Sequence, residues 1–245
     1  MERRRAIGGS TSTGALKIIA LIFMLIDHSG KMLFPNILEM RMLGRIAFPL
    51  YCWCLVVGFH YTRSVPKYML RILVIGLVSQ PLYMKALDHT WLQPNIFLTL
   101  LIGLAALWGI REKWYGSHIW APLLALGLSV VCQCDYGWRG VMLIMLLYAA
   151  QESKASIAAV MIAFCLYWGS NSSMVYSFFG LSIRPILVPP ITEILGPWLR
   201  LQGLAIFALP LMLIPLPKIK MPSWLGYALY PLHLILLIIL ERVML

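Results

Sequence analysis

The chain has 245 residues, of which 61% are hydrophobic and 12% are charged, and its mean hydropathy is +0.84. A soluble domain is about half apolar and about a quarter charged, so this composition excludes a soluble globular fold. The formal charge of +11 would suggest a nucleic-acid partner in a soluble protein. Here the cations fall in short segments between apolar runs, so we expect the partner to be the lipid bilayer, and no nucleic acid.

Ten apolar runs follow one another along the chain, each bounded by charge or by Pro and Gly. Most approach the roughly 20 residues that a helix needs to cross a bilayer, and lipid cannot satisfy the open edges of strands. We therefore expect an all-α fold, a polytopic transmembrane helical bundle of about nine or ten spans in a single domain over residues 1–245. The runs are 15–34, 45–61, 69–87, 95–110, 118–134, 140–150, 156–169, 174–188, 201–216 and 224–243.

The positions of the basic residues predict the orientation of these spans. Cations that fall in alternate connections place the N-terminus in the cytoplasm and the chain in a bacterial inner membrane. The first run is read as a retained helix, not a cleaved signal peptide. Residues 174–196, with Arg184 and several prolines, could cross, re-enter or lie on the outer surface, and the positive-inside rule favours nine crossings over ten. The cations used are Arg3, Arg4, Arg5, Arg63, Lys67, Arg71, Arg111, Lys113, Lys154, Lys218 and Lys220.

Asp27 and His28 lie in the middle of the first apolar run. An ionisable side chain there is costly unless it is paired or reaches water, so two adjacent ones indicate a function. A neutral imidazole can act as a general base while a carboxylate orients it. Neighbours on a helix point about 100° apart, however, so Asp27 has Arg41 and Arg45 as alternative partners. A structural ion pair between two helices is the competing interpretation.

Several polar side chains inside the runs are further candidates. Arg45 could face a carboxylate or an oxyanion, or extend to the membrane interface. Gln80, Asn95, Thr99 and Gln202 could orient an amide such as that of pantetheine, or simply join helices.

Three other groups have two readings each. The segment that begins Asp135-Tyr136 is an aromatic turn at a helix junction or a substrate-binding element. His233, a second imidazole inside a run, is a packing residue or a substrate contact. Basic residues recur every four positions at 63, 67 and 71, where they could hold the phosphates of coenzyme A or only reflect the positive-inside rule. We expect no metal, because the five cysteines have no zinc-like spacing.

An ordered series of short motifs covers nearly the whole chain, at 16–20, 26–30, 44–50, 68–71, 79–81, 95–100, 135–137 and 230–234. In this order the motifs resemble those of the TraX family of conjugative-transfer membrane proteins. The family is also similar to the wider group of transmembrane acyltransferases that includes lysosomal glucosaminide acetyltransferase. The proline-rich stretch at 185–197 departs from the family pattern.

The resemblance implies an activity: transfer of acetyl from cytoplasmic acetyl-CoA to an amine or hydroxyl on the outer side. The acceptor would be a peptide amine, such as a pilin N-terminus, or a glycan. In this reading His28 is catalytic with Asp27 and Arg45, and Asp135, Tyr136 and His233 meet the acceptor. Acetyl-CoA would be held by Arg63, Lys67, Arg71, Gln80, Asn95, Thr99 and Gln202.

Two other functions compete with acetyl transfer. A small-solute or proton-coupled transporter also places Asp, His and Arg inside the membrane, although no matched pair of broken helices is evident in the two halves. A scaffold in envelope or pilus assembly is the other alternative. The sequence leaves the acceptor, a covalent acetyl-histidine intermediate and the oligomeric state open.

Overall fold

The structure, a computed structural model, describes residues 6–244. Arg3, Arg4 and Arg5, which contribute to the predicted orientation, lie outside the described residues. Within 6–244 the protein is nearly all-α, with short 3-10 turns at Trp114–Gly116 and Gly203–Phe207. The elements are α1 (Thr13–Met32), α2 (Leu38–Gly44), α3 (Ala47–Tyr61), α4 (Val65–Leu87), α5 (Ile96–Glu112), α6 (Ser117–Val131), α7 (Gly137–Ala150), α8 (Lys154–Ser170), β1 (Ser177–Phe178), β2 (Leu181–Ser182), α9 (Ile191–Leu195), α10 (Ala208–Leu213) and α11 (Ser223–Met244).

The protein is a helical membrane protein. Three helical segments are long and apolar enough to cross a bilayer, namely Thr13–Met32, Leu38–Tyr61 and Val65–Leu87. Shorter apolar helices lie at Gly137–Ala150, Lys154–Ser170 and Gly203–Leu213. The predicted helical membrane fold is therefore confirmed in outline, whereas the count of nine or ten crossings stays a prediction.

Helix α3 lies at the centre of the bundle. Eleven of its 15 residues are buried, because α1, α5, α7 and α10 pack around it. At its middle, the indole Nε1–H of Trp53 donates to the carbonyl of Ser10 at 2.9 Å, which ties the segment before α1 to the core. Helices α4 and α6 instead expose apolar side chains such as Leu77 and Leu123, which suits a lipid-facing surface.

Local signals in the sequence explain several helix ends. Asn95 caps α5, since its side-chain oxygen accepts the Phe97 N–H at 3.0 Å. Helix α4 ends at Asp88 and α5 at Lys113, both in left-handed backbone conformations with φ of 56° and 58°.

Residues 174–196, for which crossing, re-entering and lying on the outer surface were all left open by the sequence, do not form a membrane-length helix. The strands β1 and β2 pair antiparallel through a turn in which Gly180 has φ of +80°, and the five-residue helix α9 follows. The N–H of Phe179 in this turn donates to a carboxylate oxygen of Glu39 at 2.6 Å. The hairpin is thereby held against α2, at the end of the bundle where α1 finishes.

Candidate functional site

Asp27 is paired with two arginines from the next helical segment. Arg45 Nη2 lies 2.6 Å from Asp27 Oδ1, and Arg41 Nη1 lies 3.0 Å from Asp27 Oδ2. Arg41 also donates to the Asp27 backbone carbonyl at 3.2 Å. Asp27 and Arg45 are both buried, so the charges compensate each other within the bundle. Both alternative partners expected from the sequence are therefore present at once.

This ion-pair cluster depends on a close approach between α1 and α2. Gly44 ends α2 directly beside Asp27, and a Cβ at position 44 would overlap the Asp27 carboxylate. At Gly30, a Cβ would lie 2.7 Å from the Cβ of Met40. Small residues let helix backbones approach in membranes, and here they bring Arg45 to Asp27.

His28 is paired with His233 of α11 and not with Asp27. The Nδ1 atom of His28 lies 2.9 Å from Nε2 of His233, and the two rings are stacked with centroids 5.1 Å apart. The prediction that the Asp27 carboxylate orients the imidazole is therefore replaced by a histidine pair. His233 is buried, and the edge of Tyr230 packs against it at 5.0 Å between centroids.

The surroundings of the histidine pair favour one neutral tautomer. The Nδ1 atom of His233 lies 3.4 Å from the carbonyl oxygen of Leu229, which can only accept, so this contact favours a proton on Nδ1. The Nε2 atom of His233 then accepts from Nδ1–H of His28. This leaves a lone pair on Nε2 of His28, which is the form that a general base requires.

A polar cavity of about 480 Å³ opens at the end of the bundle where α1 finishes, and we call it the basic cavity. Its lining residues come from α1, α2, α4, α7 and α8 and from the connections between helices. They are Asp27, His28, Lys31, Arg41, Arg45, Tyr83, Leu87, His89, Cys134, Asp135, Tyr136, Gly137, Arg139, Trp168 and Gln202. The cavity therefore brings together the candidates Asp27, His28, Arg45, Asp135, Tyr136 and Gln202.

Asp135 and Tyr136 both line this cavity. The Asp135 side chain reaches solvent through the cavity, yet its recessed position raises its pKa to about 6 against the opposing effect of Arg45. The Tyr136 ring stacks on Phe48 with centroids 3.6 Å apart, which fixes the start of α7 against α3.

Two smaller cavities lie further along the bundle, and only the first of them adjoins the basic cavity. A middle pocket of about 20 Å³ shares His28 and Asp135 with the basic cavity. A third space of about 50 Å³, the Lys17 cavity, shares Tyr51 and Tyr230 with the middle pocket. The three spaces form a series along α1, in which Lys17 and His28 lie about 17 Å apart on the helix axis.

Of the remaining polar candidates inside the helices, Gln80 and Asn95 have structural hydrogen-bond partners. Gln80 accepts the Asn95 N–H at 2.9 Å and donates to the Gln93 carbonyl at 3.2 Å, while the Asn95 side chain donates to the Gly76 carbonyl at 2.9 Å. These bonds join α4 to the start of α5. Thr99 is fully buried in α5 and lines none of the three cavities.

The basic residues at 63, 67 and 71 are all exposed near the start of α4. Helix α4 begins at Val65, with Ser64 in an extended conformation before it. Arg63 therefore lies in the preceding turn, and the predicted single helical face holds only Lys67 and Arg71. They lie at the opposite end of α4 from Tyr83 and Leu87, which line the basic cavity.

Three cations that line these cavities were not predicted as site residues in their own right, although Arg139 ends the segment 135–139 that was considered for substrate binding. Lys17 and Lys31 lie on α1 at positions 11 before and three after His28, and Arg139 lies in the first turn of α7. Lys31 donates to the Leu87 carbonyl at 3.1 Å and approaches Nε2 of His89 at 3.2 Å. A signal was available, because a cation within an apolar run has the same burial cost as Asp27.

Comparison with known proteins identifies the family. The profile of the TraX family, described as TraX protein, matches residues 12–241. The chain belongs to the TraX family. This TraX-family chain is 34% identical over 167 residues to a protein of Dichelobacter nodosus described as probable fimbrial assembly protein FimC, serogroup H1, covering 60% of the chain and 66% of that relative.

An uncharacterized protein of Rickettsia prowazekii (strain Madrid E) is 28% identical over 177 residues, covering 70% of this chain and 66% of the relative. The match thus spans just under two thirds of the length of each of these two curated relatives. No solved structure matches the chain.

Proposed function

We propose that this TraX-family chain is a membrane-embedded acetyltransferase that takes acetyl from cytoplasmic acetyl-CoA and passes it to an amine or hydroxyl on the outer side. The observation that carries the proposal is the location of His28. It lines both the middle pocket and the basic cavity, so one imidazole is reachable from the narrow series of spaces and from the wide polar opening.

The proposed topology has nine crossings in a bacterial inner membrane, with the start of α1 in the cytoplasm. It counts α2 with α3, and the turn at Gly203–Phe207 with α10, as single crossings, and it leaves residues 174–196 outside. Lys67, Arg71 and Lys154 then lie in cytoplasmic segments, in agreement with the positive-inside rule. The basic cavity opens outward.

In this arrangement acetyl-CoA approaches from the cytoplasmic end. Lys67 and Arg71 at the start of α4 hold its phosphates, and the pantetheine arm enters the Lys17 cavity, whose lining is largely apolar around Lys17, Tyr51 and Tyr68. The acetyl group then reaches His28, about 17 Å along α1 from Lys17. The narrow middle pocket excludes bulk water and so limits hydrolysis of the thioester.

The chemical step requires one proton carrier. Nε2 of His28 removes the proton from the acceptor as its nitrogen or oxygen bonds to the acetyl carbon, and the carbon–sulfur bond breaks. The same proton then passes from His28 to the departing thiolate, so free coenzyme A and the acetylated acceptor are the products. Arg45, already held by Asp27, contributes positive charge near the developing oxyanion.

The relative described as a fimbrial assembly protein supports an acceptor connected with pilus or fimbrial assembly. A subunit N-terminus or a surface glycan would both present the required nucleophile.

The direct test uses purified protein in detergent with radiolabelled acetyl-CoA, and follows release of free coenzyme A together with labelled product. Wild type should turn over acetyl-CoA, and His28→Ala should lose about a hundredfold or more of that rate while eluting as a monodisperse, folded protein. Absence of acetyl-CoA binding and turnover in wild type would refute the proposal. Proton-driven solute uptake in proteoliposomes would favour the transporter alternative.

A further inference from the structure

The basic cavity carries an excess of positive charge. Its lining residues include four cations, Lys31, Arg41, Arg45 and Arg139, and two carboxylates, Asp27 and Asp135. Even with both carboxylates ionised, two positive charges are uncompensated. His89 does not add to them, because it accepts from Lys31 through Nε2 and burial lowers its pKa.

The hydrogen bonds show which cations are available to a ligand. Arg41 and Arg45 share the single carboxylate of Asp27. Among the described residues, the hydrogen-bond partners of Lys31 are a neutral carbonyl and a neutral imidazole. Arg139 stacks over Trp138 with its guanidinium carbon 5.0 Å from the ring centroid, and its buried Nε–H has no hydrogen-bond partner among the described residues.

Such a surplus is unfavourable within a membrane protein unless water or an anion in the cavity offsets it, and an anion does so with charge as well as hydrogen bonds. Guanidinium groups in particular match carboxylate and phosphate oxygens in geometry. A simple protonated amine would be repelled from this space, although an amine is one of the two nucleophiles that the proposed reaction needs. A negative charge on the same molecule removes that conflict.

Resting on the proposed function, we propose that the acceptor carries a phosphate or carboxylate within a few bonds of its amine or hydroxyl, and that Arg139 and Lys31 bind this anionic group while the nucleophile faces His28. Arg139 and Lys31 thereby determine which acceptors the enzyme uses. The same chemistry could come from a soluble phosphorylated amine or from a lipid headgroup.

The test compares matched acceptors with purified protein in detergent. Ethanolamine and O-phosphoethanolamine differ only in the phosphate, and phosphatidylethanolamine in nanodiscs presents the same group on a lipid. We expect kcat/KM for O-phosphoethanolamine or for the lipid to exceed that for ethanolamine at least about tenfold, because hydrogen bonds to charged groups have effects of this size. The acceptor with the higher kcat/KM shows whether the anionic group belongs to a soluble phosphorylated amine or to a lipid headgroup.

Arg139→Gln should abolish most of the preference, mainly through KM, and Arg139→Lys should restore part of it. Arg184→Gln is the matched control, because Arg184 also stacks on an aromatic ring, Tyr176 at 4.8 Å, but lies exposed outside the basic cavity. Equal kcat/KM for ethanolamine and both phosphate-bearing acceptors would overturn the inference while leaving acetyl transfer intact.

A binding measurement keeps this inference separate from the proposed function. Inorganic sulfate should raise the Tm of wild type and of Arg184→Gln, and raise that of Arg139→Gln much less. If acetyl-CoA turnover is absent but this sulfate pattern is found, the anion site stands and the acetyltransferase proposal fails. If sulfate stabilises none of the three proteins, or all three equally, the anion site is refuted.

Discussion

Replacing His233 by methionine removes the group that orients His28 and puts an unbranched apolar side chain in its place in α11. The hydrogen bond from His28 Nδ1, 2.9 Å long, then has no acceptor. His28 becomes free to carry its proton on either nitrogen and to rotate, and only one of these forms has a lone pair on Nε2.

The size of the effect follows from this geometry. A net hydrogen bond contributes about 1 kcal/mol, and loss of a preferred tautomer and ring orientation adds a similar amount. Since about 1.4 kcal/mol corresponds to a factor of ten in rate, we expect kcat for acetyl transfer to fall about ten- to a hundredfold. KM for acetyl-CoA should change little, because His233 lines neither the Lys17 cavity nor the basic cavity.

His233→Gln is the matched control, because its amide oxygen can still accept from His28. It should retain kcat within about threefold, and both variants should elute as folded protein with similar Tm. The assay is steady-state release of coenzyme A, with His28→Ala as the lower limit. Equal kcat for His233→Met and His233→Gln would refute the orienting role, whether both variants are fully active or both inactive.

Three further predictions concern other parts of the site. Gly44→Ala should lower the free energy of unfolding by about 1–3 kcal/mol, because the added methyl group overlaps Asp27 and overpacking has effects of this size. The measurement is denaturant or thermal unfolding in detergent, with Gly127→Ala as the control, because a Cβ at position 127 meets no atom within 4 Å. As pH falls through about 6, protonation of Asp135 removes one negative charge from the basic cavity, so the affinity for sulfate, measured by calorimetry, should rise in wild type and stay flat in Asp135→Asn. Lys67→Gln should raise KM for acetyl-CoA about two- to tenfold, as loss of an exposed phosphate contact would, in steady-state kinetics.

Each of these has a contrary result. Equal stability of the two glycine variants would mean that α2 can move away from Asp27 without loss. A sulfate affinity that does not change with pH in wild type would mean that Asp135 does not titrate near pH 6 or does not affect the bound anion. An unchanged KM in Lys67→Gln, with a raised KM for acetyl-CoA in Arg139→Gln, would mean that the basic cavity holds the nucleotide and that the proposed orientation is reversed.

Much of the site was predictable, because the cost of burying charge in lipid is a property of the residue and its apolar neighbours. Asp27, His28 and Arg45 were found in this way. Arg41 was also predicted as a partner of Asp27, since all four residues lie within one helical hairpin. Lys31 shows the same signal within the first apolar run, but that signal does not tell which cavity the side chain enters, and the place of Lys31 and Arg139 in the basic cavity depends on how distant helices pack.

The sequence by itself determined the membrane environment, the helical character and the membership of the TraX family, since composition and ordered motifs depend only on local residues. It could not decide the partner of His28, because His233 lies 205 positions away and their contact requires α1 and α11 to pack side by side. The tertiary structure also decided that the segment 174–196 holds a short hairpin at 177–182 and the helix α9, and it gathered four cations around one cavity. The net charge of a cavity is the sum of the charges on side chains from helices that are distant in the sequence, so only the packing of those helices defines it.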